Sequence, residues 1–114
     1  MTGSTRPDGC AAGPITVVWA RDRAPVDRVC APTGTEITLT MRPLEDSRWQ
    51  QVASSDPTVA AVGPLGFDLD GNTYVTVTAA RVGTATVTAV ARPLDVPPNG
   101  PPRQRWVLTV SVVG

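Results

Sequence analysis

"TYVTVTAARVGTATVTAVA", residues 73–91, decides the fold class. Its first half sets Val75, Val77 and Ala79 against Tyr74, Thr76 and Thr78, and its second half sets Ala85, Val87, Ala89 and Ala91 against threonines. Successive side chains of a strand point to opposite faces, so this period of two gives one face to a core and the other to water. Threonine and valine suit a half-buried pleated surface because their branched β-carbons pack well there. Between the halves, "ARVGT" predicts a tight turn with Gly83 free to take a positive φ.

The same period recurs outward from this stretch. It is found in "ITVVWA" (15–20), briefly in "VDRVC" (26–30), and in "TEITLTM" (35–41), which aligns Ile37, Leu39 and Met41. "RWQQVASS" (48–55) and "PTVAAVG" (57–63) follow, and "RWVLTVSVV" (105–113) aligns Trp106, Leu108, Val110 and Val112. No window has the i, i+3, i+4, i+7 spacing of a helix. Twelve prolines and ten glycines punctuate the gaps, as turns between short strands require. About seven strands of this kind predict an all-β, immunoglobulin-like antiparallel two-sheet sandwich. We place it at residues 14–114, after a flexible segment at 1–13. A chain of 114 residues fits one such domain with one core.

Ten basic and ten acidic residues cancel to a net charge of zero. Nucleic acid and anionic membrane surfaces both select for a basic excess, so neither is the expected partner. All ten basic residues are arginine, as in chains from GC-rich genomes. They gather at Arg21, Arg23 and Arg28 and again at Arg103 and Arg105, where charged loop tips are the plain reading. Histidine and lysine are absent. That removes the commonest general base and metal ligand, and it closes Schiff-base and Ser–Lys chemistry. Ser54 and Ser55 therefore have no base to activate them. The composition points away from an enzyme and implies no cofactor.

"DLDGN" (68–72) spaces two carboxylates as the start of a calcium loop does, but no glutamate closes the pattern. A hairpin turn around Asp70 and Gly71 accounts for the same residues. The acids in general stand beside turn residues, where carboxylates cap backbone donors. Cys10 and Cys30 are the only cysteines, and an even pair in a short all-strand chain reads as a disulfide before it reads as two free thiols. A secreted or cell-envelope location follows from that pairing. The opening "MTGSTRPDGCAAG" has no apolar h-region and does not read as a signal peptide, so an exported protein would carry its leader ahead of it. No stretch approaches the roughly 18 apolar residues of a membrane span.

Two connections stand out as candidate binding loops. "RPLEDSRW" (42–49) packs a proline, two acids and two arginines between a strand and a tryptophan. "RPLDVPPNGPPRQR" (92–105) holds five prolines in fourteen residues and cannot be a central strand. In an immunoglobulin-like topology the two lie at one end. The candidate surface is thus Arg42, Pro43, Leu44, Glu45, Asp46, Arg48 and Trp49 with Arg92, Pro93, Leu94, Arg103 and Arg105. Trp19, Trp49 and Trp106 read as core anchors, with an aromatic platform for sugars or peptides as the alternative, most open for Trp49.

Two families resemble this pattern. "SSDPTVAAVG", "VTAARVGTATVTAVA" and "WVLTVSV" resemble the bacterial immunoglobulin-like domains of surface proteins and adhesins over about the last 65 residues. The chain is also similar, over nearly its whole length, to the chagasin family of cysteine-protease inhibitors. "GTEITL" fits that family's Gly-x-x-x-x-Leu strand. In the slot of its first inhibitory loop, Pro43 and Trp49 match, while Arg42, Leu44, Glu45 and Asp46 differ. In its final loop Arg92 and Pro93 match, and Leu94 replaces an aromatic. Its glycine-rich middle loop is reduced to Gly71. The first resemblance implies a non-catalytic binding module or a structural spacer of a larger surface protein, and its partner is a protein or cell-surface ligand. The second implies an inhibitor that fills a papain-type cleft with three loops.

Overall fold

The computed structural model describes residues 10, 13–44, 47–93 and 104–114. Of the flexible segment expected at 1–13, only Cys10 and Gly13 fall within them. Among the described residues nine strands run in chain order: β1 (Ile15–Trp19), β2 (Arg28–Pro32), β3 (Glu36–Met41), β4 (Ser47–Ser54), β5 (Ala60–Val62), β6 (Gly66–Phe67), β7 (Thr73–Ala79), β8 (Gly83–Pro93) and β9 (Gln104–Val113). The first sheet has the order β1-β3-β7-β5, with β6 also on β7, and the second has β2-β9-β8-β4. The all-β, two-sheet immunoglobulin-like sandwich is as the alternation predicts.

The inward faces are those read from period two. Ile37, Leu39 and Met41 of β3 meet Val75, Val77 and Ala79 of β7 from one sheet, and Ala85, Val87, Ala89, Trp106, Leu108 and Val110 close the core from the other. All three tryptophans are buried, including Trp49 at 1 % exposure, so the core reading holds for each. Trp19 meets Trp49 edge-on at 5.0 Å between ring centroids, one from each sheet.

Three features depart from the expected pattern. First, β1 pairs with β3, and β2 with β9, in parallel, so each sheet carries one parallel strand at its edge beside an antiparallel set. These two strands follow one another in the chain yet take opposite sheets, and an edge strand is free to run either way because it has one neighbour. Second, "ARVGT" is not a hairpin: β7 belongs to the first sheet and β8 to the second, and residues 80–82 cross between them. Gly83 does take a positive φ, at 152°. Third, "PTVAAVG" yields only a three-residue strand. Asp56 holds its first residues in a turn, accepting from the Thr58 hydroxyl at 2.6 Å while the Asp56 carbonyl accepts from Val59 and Ala60 N–H at 3.0 Å.

Cys10 and Cys30 form the disulfide, with Cα atoms 4.4 Å apart. Cys10 precedes β1 of the first sheet, and Cys30 lies within β2 of the second. The bond therefore joins the chain leading into one sheet to the adjacent edge of the other. Among the described residues no helix is long and apolar enough to cross a membrane.

Candidate functional site

Strand direction gathers one group of connections at a single end. Here β1 and β3 finish, β2 and β4 begin, β6 turns into β7, and β8 ends beside the start of β9. The register fixes the neighbours: Ser47 is opposite Pro93, Arg48 opposite Arg92 and Trp49 opposite Ala91. The β3–β4 and β8–β9 connections therefore start from adjacent strands. Among the residues read from the sequence, Arg42, Pro43, Arg48 and Arg105 are exposed, Leu44 and Arg92 half-buried, and Trp49 buried. Pro93 closes β8. Glu45, Asp46, Leu94 and Arg103 lie outside the described residues.

The β3–β4 connection is braced from below. Arg42 N–H donates to the Trp19 carbonyl at 3.0 Å, which extends the parallel β1–β3 ladder by one rung. The Trp49 indole N–H then donates to the Arg42 carbonyl at 3.2 Å. A fully buried ring thus holds the backbone at the loop's first residue. The Arg42 guanidinium reaches across at 3.5 Å to the Asn72 side-chain oxygen, joining this loop to the next.

That next element is the β6–β7 hairpin. Asp68 Oδ1 accepts from the N–H groups of Asp70 and Asn72 at 3.0 and 2.9 Å, and Oδ2 accepts from Asn72 Nδ2 at 2.9 Å. Gly71 takes φ 86° at the tip, which its lack of a β-carbon permits. The bond from the Asn72 side chain, followed by those from the backbone N–H groups of Asn72 and Asp70, lowers the Asp68 pKa below its ordinary value. Desolvation, then the nearby Asp68 charge, raises the Tyr74 hydroxyl above its own. The Asp68 carboxylate is consumed by its turn, which supports the hairpin reading of "DLDGN" over the calcium one. Among the described residues no cluster of three or more His, Cys, Asp or Glu side chains could hold a metal ion.

Between the two loops lies a groove of about 420 Å³, lined by Pro43, Leu44, Ser47, Trp49, Phe67 and Gly71 among others. Arg48 lines it as well. A β-carbon on Gly71 would come within 3.5 Å of Pro43, so the loops nearly touch. Phe67 is 59 % exposed, and Leu69, at the hairpin tip, is fully exposed. Two large apolar side chains thus project from one hydrogen-bonded turn beside the groove. Neither was a candidate from sequence. Their only signal was an apolar residue on each side of Asp68, within a stretch read for its carboxylates.

Fold and site together define a class: an immunoglobulin-like sandwich that presents clustered loops and an apolar groove at one end. No protein-family model matches the chain, and no curated protein matches it in sequence. Among solved structures, the cysteine protease inhibitor EhICP2 from Entamoeba histolytica is similar with a TM-score of 0.66 at 8 % identity, over 90 % of this chain and 97 % of that one. Amebosin, solved in solution, is similar with a TM-score of 0.44 at 17 % identity, over 90 % and 99 % of the two chains. The likeness to EhICP2 is one of fold.

Proposed function

We propose that this protein is a non-catalytic binding module that acts through the loops at the groove end, as a chagasin-like inhibitor of a papain-type cysteine protease. The observation that carries the reading is the convergence of the β3–β4 and β6–β7 connections with the ends of β8 and β9. Trp49 and the Arg42–Asn72–Asp68 chain of hydrogen bonds tie the first two together. A wedge of loops that enters an enzyme cleft gains affinity when it is ordered before binding, because less conformational freedom is lost on association. The fold shared with EhICP2, a cysteine protease inhibitor by name, agrees with this reading.

Glu45 and Asp46 shape the expected affinity. Each carries a charge at the position where the chagasin pattern has small neutral residues, and burying an unpaired carboxylate costs several kcal/mol. The enzyme that accepts this loop therefore offers a cationic or hydrogen-bonding rim to those two side chains. The disulfide suits a secreted or cell-envelope setting, where oxidising conditions keep it closed.

Titration of the oxidised domain against a papain-type protease, following residual activity, tests the proposal. Inhibition in the nanomolar range, weakened by Leu69→Ser and by Arg92→Ala, supports it. Absence of inhibition at tens of micromolar overturns the inhibitor assignment and leaves a module whose loops bind another protein or cell-surface ligand.

A further inference from the structure

The zero net charge conceals a strong segregation between the two sheets. The strands of the second sheet carry Arg28, Arg48, Arg92 and Arg105 and no acidic residue at all, whereas those of the first carry Glu36 and no arginine. Alternation places all four arginines on the outer face of the second sheet: Val29, Trp49, Ala91 and Trp106, their neighbours in sequence, point inward. On that face Arg48 stands directly opposite Arg92, and Arg105 stands opposite Val90, two residues before Arg92 on the same strand. Val107, 45 % exposed, continues the patch beyond Arg105.

Like charges set directly opposite on one face of an antiparallel pair work against the sheet. The sandwich gains nothing from this arrangement, since the core is complete beneath it. Arg92 is engaged within the chain, but among the described residues no side chain pairs with Arg48 or Arg105. From this pattern we infer that the outer face of the second sheet is a docking surface for an acidic segment of a partner protein, adjoining the groove at Arg48.

The choice of a protein partner follows from charge and geometry. An extended polyanion such as a sulfated polysaccharide or nucleic acid needs a continuous run of cations along its path. This face offers discrete guanidinium groups with an exposed valine between them, while Asp22 and Asp27 stand in the connection leading to β2 at the same end. Discrete carboxylates interleaved with apolar side chains fit that surface, each able to take a bidentate bond from one arginine. The inference is separable from the protease reading, because of the arginines on this face only Arg48 also lines the groove.

The test uses a fluorescein-labelled peptide of alternating glutamate and leucine, with its glutamine analogue as the neutral control and a heparin oligosaccharide as the competing chemistry. Anisotropy titrations at low salt are run on the wild type, on Arg48→Gln/Arg105→Gln, and on Arg81→Gln at the opposite end. The exposed positions keep the fold, which the unfolding midpoint of each variant checks. We expect the acidic peptide to bind, the double variant to weaken it about tenfold, and Arg81→Gln to change nothing. Amide shifts should map to Val107, Thr109 and the outer positions of β8. Equal binding of the glutamine analogue, no effect of the double variant, tighter binding of heparin, or shifts confined to the groove would each overturn the assignment.

Discussion

Trp49 bears two duties in one side chain. Its ring fills the core against Trp19, and its N–H holds the carbonyl of Arg42 at the root of the β3–β4 loop. Trp49→Phe keeps an aromatic in the core but leaves that carbonyl without its donor and a gap where the second ring stood. We expect a loss of about 1–3 kcal/mol in urea unfolding, with faster hydrogen exchange at Arg42 than in β7 or β8. Pro43 at the loop's entry and Trp49 at its exit were legible in "RPLEDSRW", but the burial of Trp49 was not, since the ring abuts a charged loop. Gly83 makes a second case at this scale. Its φ is positive, and a β-carbon there would stand 2.9 Å from a methyl of Val59. Gly34 also has a positive φ, of 94°, but nothing lies within 4 Å of its missing β-carbon. Alanine at Gly34 therefore reports the backbone strain alone, and alanine at Gly83 reports strain and crowding together. Gly83→Ala should destabilise by about 1–3 kcal/mol more than Gly34→Ala, a difference read from paired denaturation curves. Equal losses would mean that Val59 moves aside at no cost.

The β6–β7 hairpin shows what alternation conveys and what it omits. Period two gave the inward face of β3, β7, β8 and β9 correctly, because burial on one side selects apolar residues at every second position. It carries no information about which strand lies alongside. The two parallel edges, the crossing at residues 80–82 and the two-residue β6 therefore had no sequence signal to betray them. The hairpin itself is organised by Asp68, and its pH response follows. The folded-state pKa of Asp68 lies below its ordinary value of 3.8. A carboxyl with a depressed folded pKa contributes stability that is fully present above the unfolded value and is lost as pH falls through the folded one. The turn should thus hold unchanged from neutral pH to about 4 and loosen only below that. The amide shift of Asn72, which bonds to Asp68, is the natural reporter. Its midpoint should fall below 3.8, and Asp68→Asn should abolish the step. A midpoint at or above that value would show that the carboxylate does not govern the turn. Leu69, held at the tip of the same hairpin, makes no contribution to the core. Leu69→Ser should therefore leave stability within roughly 0.5 kcal/mol while weakening binding at the groove end, which separates a presenting role from a structural one.

At the scale of the whole molecule, the groove and the disulfide serve different sides of the sandwich. The core layers of β3, β7, β8 and β9 are joined by long antiparallel ladders. By contrast, β1 and β2 are short parallel edges, and the Cys10–Cys30 bond ties the chain before β1 to β2. The bond closes a loop with a sequence separation of 20, for which chain entropy gives about 3 kcal/mol of stabilisation. Replacing both cysteines by serine should lower the unfolding free energy by about that amount. The loss should also be uneven. Amides of β1 and β2 should exchange first, because each strand then keeps a ladder on one side only and nothing clasps the two sheets at that edge. The groove should feel this through Trp19, whose carbonyl accepts from Arg42 N–H and whose ring packs on Trp49. A reduced or serine-substituted domain, assayed where it is still folded, should therefore bind at the groove end with affinity within a few-fold of the oxidised one. If instead binding falls in step with the loosening of β1, Trp19 is the path by which the edge strand positions the loop, through its bond with Arg42 and its contact with Trp49. The disulfide would then act on function directly and not through stability alone.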